Sequence, residues 1–379
     1  MAGLIPLPLA ALCCFATALA LSLWGTPLAG RAAMRFGIVD IPDGRLKRHR
    51  GPIPYLGGLA VFGAFLLTMA LVFDFERRVL GLLLAGTLLV LLGLMDDFGA
   101  LGVRAKFLGQ GLATLVLIKS GITIQIAALP EWANAILTVL WLIGMTNALN
   151  IIDIMDGLAS GTALVASLFL LAVAWLNGQA GIVLMTATLT GSLAGFLHYN
   201  RQPARIFLGD TGSLFVGMML GALAMIGKYD AVNPIGYLTP LLILAVPLFD
   251  TLYVMTLRVL HGHNPFRGSP DHFPLRLARC GLGVRSVVRI VWLTGAVTGG
   301  LGILNLYLGE MPSVLLVAFV ALLLSVGGAA LALVPAAGGV RPDAADRGLH
   351  VLSSDLAEVA AEEAAVRAAR VQLAGWRRR

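Results

Sequence analysis

Apolar and polar positions alternate along this chain in blocks. Runs of roughly 18 to 25 apolar residues follow one another, each long enough to cross a bilayer as a helix. They are apolar all round, so neither a helical nor a strand period is readable in them. The pattern predicts an all-α fold, a polytopic membrane helix bundle of about 11 transmembrane helices. These lie near 4–29, 55–73, 79–95, 106–121, 132–149, 158–176, 180–198, 212–227, 234–257, 287–306 and 312–334. A β-barrel is excluded, because barrel strands are short and alternate apolar with polar residues. Residues 1–334 form the expected transmembrane domain, and 335–379 an Ala- and Arg-rich tail. In the tail Leu352, Val359, Val366 and Leu373 recur every seven residues, the spacing of a short helix on a partner or a membrane surface.

Composition removes the soluble alternatives that length alone would allow. The chain is 58% hydrophobic and only 12% charged, with a mean hydropathy of +0.89. Cys13, Cys14 and Cys280 have no disulfide or zinc spacing and read as small hydrophobes. The first charge, Arg31, follows the first apolar run, whereas a signal peptide needs positive charge ahead of it. A retained first helix with its N-terminus outside is expected.

Charge orients the stack. One set of loops, with the tail, holds 23 of the 27 basic residues; Arg77, Arg78, Lys119 and Lys228 fall on the other side. The rich side is expected to be cytoplasmic. Topology and anionic lipid then account for the net charge of +7, with no nucleic-acid partner.

Acids gather on the same side. Asp96, Asp97, Asp153, Asp156, Asp210 and Asp271 all fall at predicted cytoplasmic helix ends or loops, and only Asp250 sits inside a span. "LKRHRGPIPYLGG" (46–58) offers Lys47, Arg48 and His49 to a phosphate, or to the membrane as a positive-inside anchor. "MDDFGALGVRAKF" (95–107) sets Asp96 and Asp97 at a helix C-terminus, where the helix dipole disfavours anions. A compensating cation is required, and Lys106, Arg104 or a metal would serve. In "NALNIIDIMDGLASG" (147–161), Asn150, Asp153 and Asp156 stand three apart and would share one helical face. Asp156 also suits a helix cap. "RIFLGDTGS" (205–213) feeds a helix start, the kind of place that binds phosphate, with Asp210 as cap or metal ligand. "PDHFPLRL" (270–277) places His272 and Arg276 on one face if a helix begins there. An oxygen-rich and cation-rich cluster on one membrane face suits metal-assisted phosphoryl transfer.

These pieces, in this order over residues 47–277, resemble the bacterial polyprenyl-phosphate N-acetylhexosamine-1-phosphate transferases, glycosyltransferase family 4. The first is most similar to members that transfer N-acetylglucosamine 1-phosphate. The resemblance implies an enzyme of the bacterial inner membrane that moves an N-acetylhexosamine 1-phosphate, UDP-GlcNAc being the favoured donor, to undecaprenyl phosphate. It would release UMP and initiate a cell-envelope polysaccharide. Phospho-N-acetylmuramoyl-pentapeptide transfer is the alternative substrate reading. Mg²⁺ is the implied cofactor, with Mn²⁺ as a substitute. The implied partners are the two substrates, membrane lipid and, as an option, a second copy of the chain. By resemblance Asp210 holds the metal with Asp97. The Asp96–Asp97 pair sits by the lipid phosphate, and Asn150, Asp153 and Asp156 contact the donor. Lys106 and His272 meet the diphosphate. One stretch departs from the family: the histidine cluster HxHH of many relatives is here "DHFPLRL", with Arg276 as a substitute cation. A transporter would need midplane charges and inverted repeats; Asp250 is the only candidate relay residue, Arg258 two turns on along its helix offers it a structural partner, and no repeat is visible. An inactive scaffold would have no need of so full an acid set.

Overall fold

The computed structural model describes residues 6–40, 51–73, 76–99, 101–127, 129–229, 233–265 and 269–334. Lys47, Arg48, His49 and the tail lie outside these residues.

The all-α expectation holds, with one small addition. A long first helix α1 (Leu7–Phe36) leads into two short strands, β1 (Val39–Asp40) and β2 (Ile53–Pro54). They pair antiparallel, Val39 opposite Pro54 and Asp40 opposite Ile53. The helices α2 (Gly57–Val72), α3 (Arg77–Asp97), α4 (Val103–Lys119), α5 (Glu131–Ile151), α6 (Leu158–Leu176), α7 (Ala180–Asn200) and α8 (Gly209–Ile226) follow. Next come α9 (Thr239–Ile243), α10 (Ala245–Leu260), the short α11 (Phe273–Arg279), α12 (Val284–Asn305) and α13 (Glu310–Ala332). Eight of the described helices are long and apolar enough to cross a membrane. The protein is a multi-pass membrane bundle.

Three of the eleven expected spans fall outside those eight. α2 has 16 residues and α4 has 17, fewer than the roughly 20 that cross a bilayer upright. The run 234–257 is not one straight helix either: Gly236–Ile243 and Ala245–Leu260 meet at a 70° bend. The cause is Pro247. In a continuous helix its ring would collide with the carbonyl of Ile243, four residues back, and it has no N–H to give that carbonyl. The first helix therefore stops at Ile243.

α8 is the axle of the bundle. The buried share of its span is 83%, against 11% for the rim helix α13. It packs against α3, α5 and α2, and α1 and α6 clasp α7 beside it. Glycines permit the closest approaches. A Cβ on Gly93 of α3 would stand 2.5 Å from the carbonyl carbon of Asp210, and one on Gly58 of α2 would overlap the backbone nitrogen of Gly212. The first turn of α8 thus lies backbone to backbone against two neighbours. Two hydrogen bonds lock it further: Gly57 N–H donates to the Phe207 carbonyl (3.0 Å) and Gly58 N–H to that of Leu208 (2.9 Å). Leu56, just ahead, takes a left-handed conformation at φ 68°, a strain of about 1–3 kcal/mol held by its buried side chain and this clamp.

Candidate active site

The first turn of α8 is a helix N-terminus with free N–H groups. Asp97, last residue of α3, serves them. Its Oδ1 accepts from the Asp210 N–H at 2.8 Å, and its Oδ2 accepts from the Thr211 N–H at 3.1 Å and the Thr211 hydroxyl at 2.6 Å. Gly209 makes room: its φ of +71° suits glycine, and a Cβ there would press within 2.7 Å of Asp97 Oδ2. A carboxylate has about four lone-pair sites, and three are engaged here. Asp97 is thus a helix cap first, with one lone-pair site left over for the metal expected there.

Asp210 faces the other way. Its Oδ1 accepts from Asn150 Nδ2 at 2.8 Å, and Asn150 also reaches the Ser213 hydroxyl at 2.9 Å. Its Oδ2 pairs with Lys106 Nζ at 2.7 Å, and the same ammonium bridges to Asp96. The cation demanded by two carboxylates at the end of α3 is thus Lys106 for Asp96, while the N-terminus of α8 serves Asp97. Neighbouring Asn147 is structural: it exchanges hydrogen bonds with Gln110 on α4, at 2.6 and 3.2 Å.

The loop after α5 brings the remaining acids in. The expected shared helical face does not form, because α5 ends at Ile151. Asp153 and Asp156 converge through an irregular turn. Asp156 does not cap α6, whose N-cap is Gly157; it accepts the Ala204 N–H at 2.9 Å and ties this loop to the one before α8. Asp153 is half-buried; its N–H donates to the Asn150 carbonyl, while its carboxyl has no hydrogen-bond partner among the described residues. Burial, then the negative charges of Asp210, Asp97 and Asp156, push its carboxyl up to about 8.

These side chains line one open cavity of about 1200 Å³ at one end of the bundle. Asp96, Asp97, Asn150, Asp153, Asp156 and Asp210 all contribute, and Lys106 braces the wall between Asp96 and Asp210. Tyr55, Asp40, Phe207 and Arg205 also line it, and sequence reasoning named none of them as a site residue. Tyr55 donates to Asp40 Oδ1 at 2.9 Å, and its ring tilts against Phe207 with centroids 5.8 Å apart. Burial, then the charge of Asp40, raises the Tyr55 phenol. The signals were present: Arg205 and Phe207 belong to "RIFLGDTGS" and Tyr55 to "GPIPYLGG".

Besides Lys106, which braces the wall without lining it, two further expected ligand contacts are not brought to the cavity lining. His272 Nδ1 lies 2.7 Å from Asp250 Oδ2, and the Phe273 N–H donates to Asp250 Oδ1 at 3.1 Å. The fully buried Asp250 is therefore satisfied by His272, not by Arg258, which donates to the Asn264 carbonyl. Arg276 pairs with Asp271 at 2.7 Å and caps the end of α13 through the carbonyls of Leu331, Ala332 and Val334. Both residues are buried fixings of the α10–α11 loop.

Fold and site together define an integral-membrane enzyme with an acid-lined, oxygen-rich pocket at the end of its central helix. A family model described as Glycosyl transferase family 4 matches residues 79–228. A probable undecaprenyl-phosphate N-acetylglucosaminyl 1-phosphate transferase of Bacillus subtilis is 34% identical over 71% of this chain and 78% of its own. A decaprenyl-phosphate N-acetylglucosaminephosphotransferase of Mycolicibacterium smegmatis is 30% identical over 73% and 77%. An undecaprenyl-phosphate alpha-N-acetylglucosaminyl 1-phosphate transferase of Escherichia coli K12 is 26% identical over 77% and 83%. The chain belongs to glycosyl transferase family 4, the polyprenyl-phosphate sugar-1-phosphate transferases.

Proposed function

We propose that this protein transfers N-acetylglucosamine 1-phosphate from UDP-N-acetylglucosamine to undecaprenyl phosphate in a bacterial cytoplasmic membrane. The products are undecaprenyl diphosphate N-acetylglucosamine, which starts a cell-envelope polysaccharide, and UMP. The activities named for the relatives support the donor and the lipid class. The observation that carries the reading is Asp210, held on both oxygens by Asn150 and Lys106 at the mouth of a helix N-terminus, beside an Asp153 carboxyl with no hydrogen-bond partner among the described residues.

A phosphate oxygen of the lipid attacks the β-phosphorus of the donor. The bond from that phosphorus to the bridging oxygen breaks, and UMP leaves with the electron pair. A phosphate monoester is largely a dianion at neutral pH, its second pKa being about 6, so no base is needed to make the nucleophile. The proposed route is direct in-line displacement, with positioning and charge neutralisation as the protein's work; a phosphorylated enzyme trapped by rapid quench with labelled donor would replace it with a covalent aspartyl-phosphate route. Lys106 supplies positive charge, Asn150 fixes the Asp210 carboxylate, and the Tyr55–Phe207 wall offers an aromatic surface to a base.

The donor set fits Mg²⁺, which keeps waters and takes one or two carboxylates together with substrate phosphates. Among the described residues no three acidic, histidine or cysteine side chains close around one point, as a fully protein-made cage would require. Asp210 and Asp153 are the residues that would hold the ion. Once bound, it neutralises charge developing on the diphosphate.

The test is UMP release by purified protein with undecaprenyl phosphate and Mg²⁺. UDP-GlcNAc, UDP-GalNAc and UDP-MurNAc-pentapeptide are supplied separately, with Asp210→Asn as control. Lipid-dependent UMP from UDP-GlcNAc alone is expected. Turnover of the pentapeptide donor instead would transfer the assignment to the muramoyl-pentapeptide reaction.

A further inference from the structure

Arg77 opens α3 and the Asp96–Asp97 pair closes it. Twenty helical steps at about 1.5 Å each separate these ends by about 30 Å, the hydrocarbon thickness of a bilayer. At the Arg77 end a second groove, of about 440 Å³, runs between α3 and α4. Its described lining is Arg77, Leu84, Leu115, Val116, Lys119 and Ser120, so two cations stand at its head, an apolar wall runs below, and no acid is among the described lining residues, Glu76 lying just ahead of Arg77 as the N-cap of α3. Leu84 and Leu115 are about half exposed toward it.

Local contacts keep the head of this groove in place. The Arg77 guanidinium donates to the Lys119 carbonyl, joining the start of α3 to the end of α4. Arginine has five N–H donors, so this leaves donors for a ligand. The Ser120 side chain packs on Gly81, where a Cβ would overlap it. Three of the four basic residues assigned to this membrane face, Arg77, Arg78 and Lys119, gather at this one junction. Membrane proteins accumulate cations on the opposite face, so insertion does not explain the cluster, whereas a local anionic partner would.

We propose that the α3–α4 groove binds an anionic phospholipid of the leaflet opposite the active site. Its phosphate sits on Arg77 and Lys119, and an acyl chain lies along Leu84, Leu115 and Val116. The apolar wall favours a lipid over a free phosphate, and the two cations with no acid among the described lining residues favour a net negative headgroup over a zwitterionic one.

Native mass spectrometry of the full chain in detergent tests this, with phosphatidylglycerol, phosphatidylcholine and glycerol phosphate as separate probes. Phosphatidylglycerol is expected to be retained in preference to phosphatidylcholine, and glycerol phosphate not at all. Lys119→Gln should weaken phosphatidylglycerol binding about fivefold, the effect of one surface cation on an anionic lipid. It should leave UMP release in detergent unchanged. The variant keeps the backbone carbonyl that Arg77 uses, and the side chain it replaces is exposed. Equal retention of the two lipids, tight binding of glycerol phosphate, or unweakened binding by Lys119→Gln would each overturn the proposal.

Discussion

Asp97 and Thr211 lie 114 residues apart in sequence, yet one carboxylate oxygen of Asp97 accepts both the backbone N–H and the hydroxyl of Thr211. The end of one helix is thereby the cap of another. Capping side chains contribute about 0.5–2 kcal/mol. Asp97→Ala should cost that much stability and also remove activity, because the turn carrying Asp210 loses its anchor. Thr211→Val, which deletes only the hydroxyl, should cost about 1 kcal/mol and leave measurable turnover. Thermal unfolding in detergent, read beside UMP release, separates the two. An Asp97→Ala protein of unchanged melting temperature would remove the capping role.

Asp153 sets a pH dependence. Its carboxyl is pushed up to about 8 in the fold, against about 3.9 in an unfolded chain. Between those values the folded protein holds a proton that the unfolded chain has released, so stability falls as pH rises toward 8. With a chelator present, the melting temperature should decline from pH 6 to 9, and Asp153→Asn should flatten that slope. A melting temperature that climbs through this window in the parent would contradict the assignment.

Lys106 is shared by Asp96 and Asp210. Lys106→Gln leaves two carboxylates facing each other without a cation. Stability at neutral pH should drop, and added Mg²⁺ should recover part of it. Failure of Mg²⁺ to shift the variant's unfolding would count against a cation at these acids.

His272 and Asp250 form a buried pair. Removing one partner leaves a buried polar group short of a hydrogen bond, a cost of about 1–3 kcal/mol. His272→Ala should therefore lower the melting temperature. Whatever enzyme remains folded should keep its KM for donor. A raised KM with unchanged stability would instead place His272 on the substrate.

Gly93→Ala introduces a methyl 2.5 Å from the Asp210 carbonyl carbon. Overpacking costs about 1–3 kcal/mol, and here the atoms that must yield are backbone. Loss of both expression and activity is expected, checked by detergent-extracted yield; a normally active protein would show that the α3–α8 contact is looser than described.

The helices were legible because length in apolar residues is a one-dimensional property, and most described helices end within a few residues of the predicted edges. The acids were legible because each stands in a short polar stretch between such runs. What the sequence hid was partnership. Nothing in "MDDFG" says that Asp97 turns toward Thr211 while Asp96 turns toward Lys106. The pairing of Asp250 with His272 also depends on how a loop folds back, and the nearer Arg258 was the misleading candidate. The bend at Leu244 had a visible cause in Pro247, but the hydrocarbon on either side masked it. Asp40 and Tyr55 meet through a two-residue strand pair, too short for any periodic signal to announce.

The glycine contacts of α8 bear on how this enzyme could change its choice of sugar. With Gly58 and Gly93 in backbone contact with the start of α8, Asp210 cannot shift without carrying α2 and α3 along. The Asp210 end of the pocket is a fixed anvil. Adaptation to a bulkier or differently configured donor is left to the connecting segments 152–157 and 201–207, which can be rewritten while the anvil stays as it is.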